Sequence, residues 1–388
     1  MRRLLVLVSS IIFVDALLFG ALTPLVPGYA DEFDLSKASA GLLVAAFGAG
    51  ALVGGIPGGI SARYAGPKWT VVVGLSLLCV ASFAFASADA AWSLGLARFL
   101  QGFSSTTTWA GALAWLTVET PASRRGQTLG TAFGVAISGA ILGPMFGAGA
   151  DVVGVPAAFA AVGVIALLLA CWAAMGQASP PEPQAPGALA RAFHDPRFLG
   201  GLWLNTLPAL LFGILAVLAP LALSDAGYSA LGIGAVFLAA GVIEVALNPV
   251  VGRYSDRVGR LVPIRIALAA AVAASAAFAL VERAALLALL ICTAAVAWGA
   301  FYTPGMALVS DRAEAAGLSQ GLAFGVMNTA WAVGNLTGPA AGGALAERFG
   351  DGVPYLAGGA LCLFTLIAAQ RVARARPTIG RAEELAPR

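Results

Sequence analysis

Gly130-Thr131-Ala132-Phe133-Gly134-Val135-Ala136-Ile137-Ser138-Gly139-Ala140-Ile141-Leu142-Gly143-Pro144-Met145-Phe146-Gly147-Ala148 sets spaced glycines around one proline, and the set returns 195 residues later as Gly325, Gly334, Gly338, Pro339, Gly342 and Gly343. Both copies fit G-x8-G-x3-G-P-x2-G-(G/A) and lie in long apolar runs. On a helix, glycines at these spacings expose backbone to a neighbour. Pro144 and Pro339 each remove one backbone hydrogen bond and favour a kink. A tandem repeat of glycine- and proline-interrupted apolar helices is the pattern of a secondary transporter built from two halves.

The rest of the chain agrees. Of 388 residues, 60% are hydrophobic and 11% charged, well below the roughly one-quarter charge of soluble domains. At about 20 apolar residues per crossing, twelve spans are expected, roughly at 4–27, 38–61, 69–87, 91–117, 127–150, 154–175, 198–223, 229–251, 262–281, 284–309, 318–345 and 353–371. The expected fold is all-α and polytopic, with twelve transmembrane helices in two six-helix pseudo-symmetric halves. Residues 1–175 and 198–371 form the halves, 176–197 a flexible proline-rich linker and 372–388 a tail.

Arg2, Arg3, Arg63, Lys68, Arg124, Arg125, Arg191, Arg197, Arg253, Arg257, Arg260, Arg265, Arg312 and the tail arginines fall on one side of this scheme, leaving Lys37, Arg283 and Arg348 on the other. That asymmetry predicts cytoplasmic termini in a cell membrane. It also explains the net charge of +3 without nucleic-acid binding. The Arg2-Arg3 start continues into an apolar run without a small-residue cleavage site, so it reads as an uncleaved first span. No G-x4-G-K-[ST] phosphate loop is present, which argues against direct ATP drive. Four dispersed cysteines and a single histidine, His194, indicate neither a disulfide framework nor a metal site. No cofactor is expected and the chain does not read as an enzyme.

Two loops add a second internal echo. Gly252-Arg253-Tyr254-Ser255-Asp256-Arg257-Val258-Gly259-Arg260 follows the eighth span, and Gly58-Gly59-Ile60-Ser61-Ala62-Arg63-Tyr64-Ala65-Gly66-Pro67-Lys68 follows the second. The fourth span contains Arg98-Phe99-Leu100-Gln101-Gly102. With these motifs the chain resembles the major facilitator superfamily. The loops resemble its G-x3-D-R-x-G-R/K signature, the fourth span its R-x2-Q-G motif, and the glycine-proline element its antiporter motif. Asp15, followed by Pro24 and Pro27, resembles the first helix of twelve-helix drug:proton antiporters. The resemblance implies a monomer that alternately exposes a central cavity and couples efflux of a small molecule to proton entry. It also implies a cytoplasmic latch at Arg63, Gly252, Asp256, Arg257, Gly259 and Arg260. Ala62 stands where the family has Asp, so the first-half latch is reduced to Arg63. Gly252 is expected to allow close helix approach. Gly130, Gly139, Gly143, Pro144 and Gly147, with Gly325, Gly334, Gly338, Pro339 and Gly342, are expected to pack or hinge their helices, which favours efflux.

Ionisable residues at membrane depth are costly and mark function. Asp15 lies about 16 Å into the first span at about 1.5 Å per residue, near the midplane. Arg98 of the fourth span is expected within electrostatic reach of it, so proton and cationic substrate would compete for Asp15. Glu244 in the eighth span is a second coupling candidate. Gln101, Asn205, Asn328, Trp331 and Asn335 are expected to line the cavity. Trp109 and Trp115 read as packing or interfacial anchors. Glu119, Asp311 and Glu314, at helix ends, read as partners of loop arginines. Two alternatives stay open: a metabolite uniporter or proton symporter, and a receptor or assembly factor with the same fold.

Overall fold

The computed structural model describes residues 2–121, 124–177, 187–259, 261–281, 283–318 and 320–374. Among the described residues, fifteen α-helices account for the expected spans. The first is α1 (Arg2–Ala21), continued through a 3-10 turn at Thr23–Leu25 into α2 (Val26–Glu32). There follow α3 (Lys37–Tyr64), α4 (Pro67–Ala86), α5 (Ala91–Glu119), α6 (Arg125–Val153) and α7 (Val155–Ala174). The second half comprises α9 (Pro196–Asp225), α10 (Ala230–Val258), α11 (Leu261–Phe278), α12 (Ala284–Gly299), α13 (Tyr302–Ala315), α14 (Gln320–Phe349) and α15 (Gly352–Arg374), with α8 (Ala188–Phe193) ahead of it.

Two spans are broken. Pro24 and Pro27 interrupt the first, because neither supplies the N–H that a continuous helix requires. The tenth breaks at Ala300–Phe301, after Gly299. The described part of the expected linker 176–197 contains a short helix and the start of α9. Gly187, at a φ of 72°, starts α8, and the Asp195 side chain accepts from Arg197 N at 2.8 Å to cap α9, with Pro196 in its first turn.

Among the described residues, ten spans are by length and composition apolar enough to cross a membrane. The two long helices that are too polar are α5 and α14. They are the helices that carry Arg98 and Gln101, and Asn328, Trp331 and Asn335, so the polarity is concentrated where the halves meet.

Within the first half α3 and α4 grip α5, and α6 packs along α1. Gly50, Gly54 and Gly58 of α3 lie against the backbone of Phe99, Phe103 and Thr107, while Gly102 lies against Phe47. Such backbone contact fixes the rotation of α5 more tightly than side-chain packing does. The repeat motif works the same way in both halves. Gly139, Gly143 and Gly147 meet Phe13, Leu17 and Ala21 of α1, and Gly334, Gly338 and Gly342 meet Thr206, Leu210 and Ile214 of α9. Pro144 rests on Gly20 and Pro339 on Gly213. Gly130 and Gly325 depart from the expectation of packing: both face open space. Gly252 does too, so it does not mediate a close helix approach.

The reverse faces of the same motifs join the halves. The Pro339 carbonyl and Gly343 press on Gly41 and Lys37 of α3, and the Pro144 carbonyl lies 3.0 Å from a Cβ built on Gly234 of α10. These contacts lie away from the end that holds Arg2, Arg63 and Arg253. At the rim of that far end Lys37 Nζ contacts Asp351 at 2.6 and 2.8 Å, and Ala38 N donates to Glu347 at 2.8 Å. Glu347 thereby serves an orphan N–H at the positive end of α3. The Lys37–Asp351 pair is exposed and contributes about 0–1 kcal/mol. Lys37→Asp is expected to raise the fraction opened at this end a few-fold, and adding Asp351→Lys to restore it, as read by spin-label distances between the ends of α3 and α14. An opening unaltered by either change would show that the pair latches nothing.

Candidate functional site

Ser104, Ser105, Thr106, Thr107 and Thr108 give α5 five consecutive buried hydroxyls. Those of Ser104, Thr106 and Thr107 bond back to carbonyls of their own helix, as such residues do when no external partner is offered. Ser105 instead crosses to α1 and donates to Asp15 Oδ2 at 2.7 Å. One turn on, Trp109 Nε1 donates to the same oxygen, also at 2.7 Å. Asp15 is 4% exposed. Its carboxylate is therefore held in the interior by two neutral donors.

Arg98 is equally buried, but it does not pair with Asp15. Its guanidinium donates to the carbonyls of Leu18 and Phe19 at 3.3 and 3.4 Å and to Gln101 Oε1 at 3.0 Å, and lies 4.9 Å from the centre of the Phe47 ring. Leu18 and Phe19 end α1 just before its break. A cation there answers carbonyls that lack helical partners and the negative end of the helix dipole. Arg98 Nε and Gln101 Nε2 keep no partner among the described residues. Asp15 and Arg98 thus act on each other through space, in keeping with the expected electrostatic reach, and not as an ion pair.

Arg98, Gln101, Ser105 and Trp109 are spaced 3, 4 and 4 residues apart, on one face of α5. Ser105 was not anticipated, and Trp109, expected as packing, is a hydrogen-bond donor to the central carboxylate. The helical spacing from Arg98 was the available signal. Trp115 is buried in the core, in line with packing.

The second half contributes aromatic surface. Trp331 of α14 meets Phe19 edge-on at 5.0 Å, and Phe19 lies 5.3 Å from Phe47. Toward the arginine-rich end, Phe324 of α14 meets Phe133 of α6 at 4.9 Å, and Phe133 lies 5.7 Å from Trp109. Asn335 is buried with its backbone against Gly48 of α3. Asn328 is half-buried on the same helix. Asn205 donates to the Met327 carbonyl, and the neighbouring Thr206 to that of Ala330 at 2.9 Å. Asn205 therefore tethers α9 to α14.

Glu244 of α10 stands apart from this cluster. It is half-buried against Gly299, where a side chain would strike its carboxylate, and accepts no hydrogen bond among the described residues. The break in the tenth span begins at this contact. Of the expected latch, Arg63 is exposed with its guanidinium 5.6 Å from the Tyr64 ring, and Arg257 is exposed. Gly259 has a φ of 83° and Gly66 one of 85°, so both loops turn where only glycine is unstrained. The Asp256 side chain and Arg260 lie outside the described residues.

Several known proteins are similar to this chain in sequence or in fold. Quinolone resistance protein NorA of Staphylococcus aureus (strain MRSA252) is 31% identical over 136 residues, 35% of this chain and 35% of that protein. The matched region thus spans about a third of that relative. Among solved structures, a bacterial homologue of the human lysosomal transporter Spinster, inward-facing and unoccupied, aligns over 97% of this chain and 98% of its own with a TM-score of 0.79 at 15% identity. A D-xylose–proton symporter aligns over 94% and 96% with a TM-score of 0.70 at 16% identity. The sequence profile of the Major Facilitator Superfamily matches residues 8–323. That match covers most of the chain, and this multi-pass membrane transporter belongs to the Major Facilitator Superfamily.

Proposed function

We propose that this transporter exports a small amphiphilic cation in exchange for protons, as a monomer working by alternating access. Residues 1–175 and 198–371 are the two moving bundles, joined by 176–197 and followed by the tail 372–388. The arginine-rich end and both termini face the cytoplasm of a cell membrane.

One observation carries this reading. Asp15 is a nearly inaccessible carboxylate that is solvated by Ser105 and Trp109 and not neutralised by Arg98. An anion held this way gains from either a proton or a cation, and the two exclude each other. Phe19, one turn along α1 from Asp15, and Trp331 against it are half-buried rings that would meet a lipophilic cation. Arg98 keeps the site from holding a second positive charge too tightly. Glu244, against the break in the tenth span, assists from the other half. The named activity of NorA, quinolone resistance, supports drug-type export. Arg63, Gly252, Asp256, Arg257, Gly259 and Arg260 gate the cytoplasmic side.

The test is flux into inverted vesicles with an acidic lumen, using a panel of lipophilic cations and antibiotics. One-for-one exchange is expected to give up to about tenfold accumulation per pH unit, abolished by a protonophore. Equilibration that ignores the gradient would replace this reading with a uniporter, and accumulation in the opposite vesicle orientation with a symporter.

A further inference from the structure

Trp109 faces two ways. Its indole N–H is bound to Asp15 Oδ2 at 2.7 Å, and its ring lies 5.7 Å from that of Phe133, tilted by 44°. Phe133 in turn meets Phe324 of the opposite half at 4.9 Å. Phe133 and Phe324 occupy the same tetrapeptide, Ala-Phe-Gly-Val, at 132–135 and 323–326. In the 195-residue register of the repeat these two phenylalanines are not equivalent positions, yet the fold brings one from each half into contact, and Trp109 joins that contact to the central carboxylate.

The two closures around Asp15 differ in kind. On the far side the halves are sealed by backbone against backbone, at Gly41 with Pro339 and at Gly48 with Asn335. On the arginine-rich side the closure near Asp15 is a pair of half-buried rings. A groove of about 490 Å³ between α1 and α6, lined by Ser9, Ser10, Phe13 and Thr131 among others, lies on that side. Separating two rings needs only side-chain and small helix movements, whereas opening the far side requires whole helices to part.

We propose that Trp109 is a positioning residue that transmits the charge state of Asp15 to the Phe133–Phe324 closure. The inference rests on Asp15 being the exchange site. Ionised Asp15 grips the indole N–H, since a hydrogen bond to a carboxylate is about twice as strong as one to a neutral acceptor. The indole then backs Phe133 against Phe324. Neutralising Asp15 weakens that grip, frees the indole and lets the rings part on the arginine-rich side. This is the sense needed to deliver an outside proton inward. Arg98 is the charged group that faces Asp15 from α5. On α6 the charged residues, Arg125 and Asp151, lie near its ends, α7 carries no acidic or basic side chain, and α14 has none from Gln320 to Ala346.

The experiment measures spin-label distances in the reconstituted full chain, with the native cysteines replaced by alanine. Labels go at Thr131 and Gly325, which are exposed on α6 and α14. The parent is expected to show a several-fold larger open population in acidic than in alkaline buffer. Asp15→Asn and Trp109→Phe should each lose that pH response, the second while keeping its aromatic ring and a parent-like melting temperature. Phe324→Ala should be open in both buffers, and carries the test if Trp109→Phe does not fold. A parent-like response in Trp109→Phe with none in Asp15→Asn would overturn the role of Trp109 and leave the exchange site standing. A parent-like response in Asp15→Asn would overturn both, as would a parent without any response. A closed alkaline population in Phe324→Ala would show that the rings are not the closure.

Discussion

Asp15→Asn is expected to abolish gradient-driven accumulation while leaving the fold intact. The amide keeps the size of the carboxylate and an oxygen to accept from Ser105 and Trp109, now both at 2.7 Å from Oδ2. What it removes is the charge. Without it no proton is carried, so the accumulation ratio falls to about one from a limit of about ten per pH unit. A cation also loses its buried counter-charge, at a cost of about 2 kcal/mol or more, or roughly thirtyfold in Kd. Stability moves little, since replacing a buried charge by a neutral group of similar shape relieves desolvation. Flux in inverted vesicles, beside thermal melting of the purified protein, measures both quantities. Undiminished accumulation by a folded Asp15→Asn protein would remove Asp15 from the coupling mechanism.

The second large effect is steric and should be symmetric between the halves. A Cβ at Gly338 would lie 2.9 Å from Leu210 backbone atoms, and one at Gly143 would lie 2.6 Å from the Leu17 carbonyl oxygen. Backbone cannot step aside as a side chain does. Gly143→Leu must therefore push α1 away from α6, and Gly338→Leu must push α9 away from α14. Overpacking of this kind costs about 1–3 kcal/mol, and at Gly143 it also shifts the helix that carries Asp15. Both variants are expected to lose flux and to melt well below the parent. Gly130→Leu and Gly325→Leu, built at positions with nothing within 4 Å of a Cβ, should retain both properties. Melting and flux that are alike across all four variants would mean that the motif's packing glycines are not what holds these helices.

The architecture was legible because a membrane imposes simple rules on sequence. Each crossing must be apolar and helical, and the arginines must collect on one side. The duplicated glycine-proline motif announced two halves, and the twelve spans follow. Asp15 and Arg98 could also be picked out, since a charge at membrane depth is too costly to be incidental. Their partners were not readable. Whether Arg98 reaches Asp15 or the carbonyls of Leu18 and Phe19 depends on how α5 is rotated against α1, and that rotation is set by Gly50, Gly54, Gly58 and Gly102 meeting backbone across α3 and α5. Glycine spacing shows that a helix can be approached closely, but not by which neighbour. For the same reason the motif positions divide into packing glycines and the open Gly130 and Gly325 only once the helices are assembled. Trp109 looks in sequence like any other membrane tryptophan. Its link from Asp15 through Phe133 to Phe324 joins α1, α5, α6 and α14, and a contact among four separate helices exists only in the tertiary structure.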